Sequence, residues 1–236
     1  MIIPRIQKQC GHADFGWLQA QYTFSFGHYF DPDFTHYGAL RVLNRETIAP
    51  KAACQAKTYP NINIINFILQ RDAEFHDSEG NRIHQSENEC LLLSPIPHIS
   101  YSEHNVSHEK PLIQLQLWIN AYVEYFCHPP QKRKLANLAN NDALTLLASP
   151  NGSENNLKIR QQIWISHIYL KTEQSMTLSL KGKNSYLYSI TGIVKLANNN
   201  HKIAYIHCSD NAFLMQEQKV KLTAQTDFRG ILICLN

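Results

Sequence analysis

Thr58-Tyr59-Pro60-Asn61-Ile62-Asn63-Ile64-Ile65 has the composition of a strand, rich in isoleucine with one proline near its entrance. Side chains alternate along a strand, so Tyr59, Asn61 and Asn63 are predicted to share one face. That face is polar inside an apolar run, which fits a pocket lining or a hydrogen-bonded edge. Downstream, Tyr101-Ser102-Glu103-His104-Asn105 repeats the arrangement and places Tyr101, Glu103 and Asn105 on one face. The central question is whether the two polar faces meet.

Strand signals extend in both directions from these stretches. Leu40 to Asn44 reads as a short strand, Asn61 to Leu69 as the central one, and Cys90 to Leu93 as another. Ala73 to His76 and Arg82 to His84 flank Glu79-Gly80-Asn81, a hairpin signal because glycine and asparagine tolerate positive φ. Ile113, Leu115, Leu117 and Ile119 alternate with Gln114, Gln116 and Trp118, predicting a half-buried strand. Gly11 to Pro32 is dense in glycine and aromatics and reads as an ordered, packed loop. Between Tyr122 and Leu147 the character changes, and the spacing predicts a connector with one short, weakly amphipathic helix. Strand signals resume from Ile159 to the end.

A faint repeat divides the chain. Ser86-Glu87-Asn88-Glu89-Cys90-Leu91-Leu92 resembles Ser209-Asp210-Asn211-Ala212-Phe213-Leu214-Met215, at an offset of about half the chain. The reading is all-β, with two tandem barrels at residues 1–120 and 150–236 joined by a connector at 121–149.

The 236 residues can bury a proper core, and 44% hydrophobic with 17% charged residues is an ordinary globular balance. A net charge of +3 with one basic cluster, Lys132-Arg133-Lys134, gives no basic stripe, so nucleic acid is not an expected partner. No apolar run approaches the roughly 20 residues of a membrane span, and the start lacks the apolar core of a signal peptide. A cytoplasmic protein with no membrane partner is the expectation. Six scattered cysteines form no C-x-x-C pair and are expected to be reduced thiols. Cys10, beside the glycine-rich aromatic loop, is the candidate for redox responsiveness. Nucleophile, phosphate-loop and dinucleotide motifs are absent.

Three stretches carry a resemblance. Gly11-His12-Ala13-Asp14-Phe15-Gly16-Trp17-Leu18, the Thr23 to Pro32 run Thr-Phe-Ser-Phe-x-x-Tyr-x-Asp-Pro, and Leu40-Arg41-Val42-Leu43-Asn44 are similar to the opening of pirin-family sequences. The resemblance implies a bicupin, two cupin barrels in one chain. It also implies a mononuclear iron site in the first barrel, held by His-x-His on one strand and His-x-Glu on another. Those positions align with Tyr59 and Asn61, and with Tyr101 and Glu103. Only Glu103 keeps a ligand type that iron normally takes; a phenol and an amide are poor substitutes for imidazole. The expectation is therefore no metal and no cofactor. Tyr59, Asn61, Tyr101 and Glu103 are expected either to satisfy one another inside the barrel or to line a metal-free small-molecule pocket, with Glu103 the candidate acid/base group. Three function classes follow: a binding or regulatory bicupin, a cysteine-based redox sensor, or a quercetin 2,3-dioxygenase-type oxygenase as in metal-binding pirins.

Overall fold

The structure is a computed structural model, and it describes residues 1–58, 61–94, 98–121, 129–135, 143–153 and 156–236. The chain forms strands β1 (Ile2–Arg5), β2 (Gly11–Asp14), β3 (Leu18–Tyr22), β4 (Leu40–Ile48), β5 (Ala53–Thr58) and β6 (Ile62–Gln70). Next come β7 (Ala73–Asp77), β8 (Arg82–Gln85), β9 (Glu89–Leu93), β10 (Ser100–Asn105), β11 (Leu112–Asn120) and β12 (Gln131–Lys134). The second half holds β13 (Leu144–Ser149), β14 (Leu157–Lys158), β15 (Ile163–Leu170), β16 (Ser175–Ser179) and β17 (Asn184–Thr191). It ends with β18 (Val194–Asn198), β19 (Ile203–Ile206), β20 (Asn211–Met215), β21 (Lys219–Ala224) and β22 (Phe228–Leu235).

Two compact units result, one of Cys10–Lys134 and one of Met1–Gln9 with Leu135–Asn236. Each contains a seven-stranded and a four-stranded sheet. The first unit orders them β12-β9-β6-β11-β4-β3-β2 and β5-β10-β7-β8. The second orders them β1-β20-β17-β22-β15-β13-β14 and β16-β21-β18-β19. The orders superimpose element by element, so β9 corresponds to β20, β6 to β17 and β11 to β22. The repeated stretches found in the sequence are β9 and β20 with the turns that feed them. Each unit is a cupin barrel of the jelly-roll kind.

The unit boundaries differ from the expected 1–120, 121–149 and 150–236. Ile2 to Arg5 pairs with β20 in the position that Gln131 to Lys134 takes on β9, so the chain's first strand belongs to the second cupin. Both sheet edges are completed this way. The expected connector therefore contains strand at Gln131–Lys134 and again at Leu144–Ser149, where backbone groups find ladder partners. Lys132, within the expected connector, lies in β12. Residues 136–142, which carry the rest of that expectation, lie outside the described residues.

Other local differences have physical causes. Gly11 to Tyr22 is a β2–β3 hairpin rather than a loop, and β3 pairs in turn with β4. The hairpin between β7 and β8 is where it was expected. Its turn is held by Asp77, whose Oδ1 accepts from the amides of Glu79 and Asn81 and whose Oδ2 accepts from Asn81 Nδ2 at 2.8 Å. Only Gly80 there has positive φ. Strand β11 is buried on both faces rather than one: Leu115 and Leu117 face one side, and Gln114 and Gln116 are buried on the other.

Candidate functional site

The interior of the first cupin carries a polar row across its central strands. Gln116 on β11 stands in register with Asn44 on β4 and Asn66 on β6, and Gln114 with Glu46. All five side chains are buried. Apolar neighbours on the same parity, Ile48, Ile64, Ile68 and Leu112, join Phe75, Leu93 and Tyr101 in the core below them. Strand alternation thus sets a polar band among apolar side chains on the inner face of one sheet.

Glu103 approaches from the other sheet. It sits on β10, in register with Cys54 of β5 and Phe75 of β7. The expected alternation holds here: Tyr101, Glu103 and Asn105 are buried while Ser102 and His104 are not. Gln116 Nε2 reaches across the barrel and donates to Glu103 Oε2 at 3.4 Å, and Trp118 Nε1 donates to Gln116 Oε1 at 2.7 Å. Glu46 accepts from Gln114 Nε2 at 3.0 Å and from Asn44 Nδ2 at 3.3 Å. Glu103 Oε1 is buried and has no hydrogen-bond partner.

Both carboxyls face a cavity of about 510 Å³, inside the range for small-molecule sites. Its walls are aromatic, with Phe15, Trp17 and Tyr22 from the β2–β3 hairpin, Phe26 and Tyr29 from the following segment, and Trp118 from β11. Phe26 packs edge-on against Trp118 at 5.1 Å and lies 5.2 Å from Tyr22. Phe15 and Trp17 are exposed at the rim, 50% and 39% respectively. Cys54, Lys57, His12 and His28 complete the charged and titratable lining.

Burial dominates the protonation of this site. It pushes the Glu103 carboxyl up to about 8, reinforced by the charge of Glu46, while Gln114 and Lys57 oppose the rise. Glu46 is also raised by burial, against the hydrogen bonds of Gln114 and Asn44. Burial, with both carboxyls nearby, holds the Cys54 thiol above its usual range, so Cys54 is a protonated wall residue rather than a nucleophile. The same desolvation raises Tyr22.

The predicted site residues do not all converge. Glu103 lines the cavity, and also borders a void of about 10 Å³ together with Tyr101 and Asn66. Tyr101 belongs to the apolar core. Asn61 does not share a strand face with Asn63: it is exposed, with φ of 57°, in the turn that ends where β6 begins at Ile62. The left-handed conformation suits asparagine and ends the alternation assumed for that stretch. Tyr59 lies outside the described residues. Asn105 braces a loop, its Nδ2 donating to the carbonyls of Ile48, Ala49 and Lys110. Cys10 is buried, only 6% exposed, so the partial exposure suggested by its neighbours is not found. Sequence reasoning missed Glu46, Gln114 and Gln116. Their signal is polar residues at one parity in otherwise apolar strands.

The comparisons with known proteins agree with this architecture. The family model described as Pirin matches residues 4–119, and the one described as Quercetinase C-terminal cupin domain matches residues 146–235. The chain is 46% identical over 236 residues to Pirin-like protein YhaK of Escherichia coli K12, covering 100% of this chain and 99% of that protein. The chain belongs to the pirin family. It is a bicupin pirin with enzyme-named relatives, for it is also 28% identical over 236 residues to quercetin 2,3-dioxygenase of Escherichia coli K12, covering 100% and 99%. Among solved structures, this pirin is similar to the Escherichia coli pirin YhhW in complex with nickel(II), with TM-score 0.90, 25% identity and coverage of 100% and 99%. No helix among the described residues is long and apolar enough to cross a membrane.

Proposed function

We propose that this pirin is a small-molecule-binding, regulatory or stress-related cytoplasmic bicupin that works without an iron site. The observation that carries the reading is the aromatic cavity lined by the buried carboxyls of Glu46 and Glu103, held by amides of the same barrel. The donors at the family's metal positions do not fit iron. Tyr101 is a core phenol, Asn61 is an exposed amide, and Glu103 is one carboxylate. Among the described residues, no group of three or more His, Cys, Asp or Glu could hold a metal ion. A cavity of this size with a few inward polar groups suits one flat ligand.

Elemental analysis after aerobic and anaerobic purification tests the metal half of the reading, and a thermal-shift screen of flat aromatic compounds tests the binding half. Substoichiometric iron with a stabilising ligand is the expected result. One iron per chain, lost on Glu103→Ala, would overturn it.

A second reading, a dioxygenase, draws on the quercetin 2,3-dioxygenase relative and on the nickel(II) complex of a similar protein. Quercetin turnover by protein reconstituted with iron(II) or nickel(II) separates it from the first. The redox-sensor reading gains no support from Cys10, because a buried thiol is poorly placed for oxidants.

A further inference from the structure

The cavity holds two buried carboxyls, Glu46 and Glu103. Gln114 Nε2 and Asn44 Nδ2 donate to Glu46, and Gln116 Nε2 donates to Glu103. The Trp118 indole N–H is spent on Gln116. Among the described residues that line the cavity, one buried side-chain atom is left without a partner, and it is an oxygen, Glu103 Oε1. A buried acceptor left unmade is costly, so the site rewards a ligand that brings donors.

The walls point the same way. Aromatic faces attract cations through the ring quadrupole, most strongly when the cation is desolvated. The cavity has Trp17 and Phe15 at its rim, and Phe26 and Trp118 deeper. Opposing charge comes from Lys57, with His12 and His28 as the other basic groups of the lining. Lys57 is exposed, where water screens its charge; the two carboxyls are buried, and a cation entering beside them favours their charged form and releases the proton that burial holds on Glu103.

We propose that the ligand of this cavity is a planar aromatic cation, such as an amidinium or a protonated aromatic amine, with its N–H groups on Glu46 and Glu103 and its ring against Trp17, Phe26 and Trp118. A planar cation with parallel N–H groups matches a carboxylate two bonds at a time. The proposal rests on the reading of the cavity as a small-molecule site and adds the charge and donor character of the occupant.

Three probes of one shape test it: 2-naphthamidine as cation, 2-naphthamide as neutral donor and 2-naphthoate as anion. Binding to the full chain at neutral pH is read by calorimetry and by fluorescence of Trp17 and Trp118. The expected result is 2-naphthamidine at least tenfold tighter than 2-naphthamide, with 2-naphthoate weakest. In folded Glu103→Gln or Glu46→Gln protein, the preference for the cation should shrink to a few-fold or vanish. Equal affinities, a preference for the anion, or a cation preference untouched by either variant overturns the proposal and leaves the binding cavity standing. Failure of all three probes at millimolar concentration overturns the cavity reading as well. The three-probe comparison on the unaltered chain decides the charge preference even if a variant does not fold.

Discussion

Gln114 Nε2 donates to Glu46 Oε2 at 3.0 Å, tying β11 to β4 inside the first cupin with both residues buried. Removing one partner strands the other. Gln114→Leu should destabilise the fold by about 1–3 kcal/mol, since Glu46 keeps only the longer bond from Asn44. The double change Glu46→Leu with Gln114→Leu should recover much of that loss, because two apolar groups replace two polar ones. Urea denaturation of both variants checks this. A double variant less stable than Gln114→Leu alone would show that Glu46 stabilises by more than its pairing with Gln114.

The Glu103 carboxyl binds its proton more tightly in the folded state, up to about 8 against an ordinary 4.5, because burial and Glu46 disfavour the charge. Between those values the folded chain holds a proton that the unfolded chain has released. The resulting stabilisation is complete below the unfolded value and is lost as pH rises through about 8. The melting temperature should therefore fall by several degrees from about pH 5 to about pH 8.5, and Glu103→Gln should flatten that slope. A slope unchanged by the substitution would place its origin elsewhere.

Much of this fold was legible in the sequence because β-structure writes itself as alternation. Ser86 to Leu92 and Ser209 to Met215 marked the same strand in the two cupins, and their correspondence is visible in the sheet orders. The edge strands were not legible. Ile2 to Arg5 and Gln131 to Lys134 are short, and nothing local says which sheet they complete. In the site, the parity of Tyr101, Glu103 and Asn105 was readable, whereas Asn61 was misplaced because one positive-φ residue before β6 breaks the count. A consequence concerns the family metal positions: changing Tyr59, Asn61 and Tyr101 together to histidine is not expected to create an iron site with Glu103, because position 61 is exposed and lies outside the cavity lining. Iron titration of the folded triple variant checks it, and stoichiometric binding would show that position 61 does reach Glu103.

The second cupin supplies the opposite pH limb. His167 on β15 is fully buried, with Arg229 Nε 3.4 Å from its Nε2, and burial together with that positive charge lowers it to about 4. Here the unfolded chain takes up the proton first, near 6.5, so the stabilisation is present above that value and lost as pH falls towards 4. A gap of 6.5 to 4 corresponds to a loss on the order of 3 kcal/mol, reached only below about pH 4 where the folded state is protonated as well. His167→Gln removes the titration, and its stability should change less between about pH 7.5 and about pH 4.5 than that of the unaltered chain. Parallel acid titrations followed by far-UV circular dichroism measure the difference, and coincident acid limbs would count against His167 as their source.

Gly11 connects the glycine-rich opening of the sequence to the cavity wall. A Cβ at this position would fall within the ring of Tyr29, whose aromatic face lines the cavity and whose hydroxyl lies 3.2 Å from Asp31 Oδ2. Glycine is needed here for close approach rather than for φ, and Gly11→Ala must displace the Tyr29 ring or part β2 from its neighbour. Overpacking of this kind costs about 1–3 kcal/mol. Because the displaced ring is a wall of the cavity, the same substitution should also weaken any aromatic ligand found there, while Gly16→Ala, whose added carbon meets nothing within 4 Å, tests backbone strain alone at its φ of 79°. Urea denaturation and ligand titration on the two variants separate the effects: both should lose stability, and only Gly11→Ala should lose affinity. Equal affinity in the two variants would mean that the Tyr29 ring adjusts without reshaping the site.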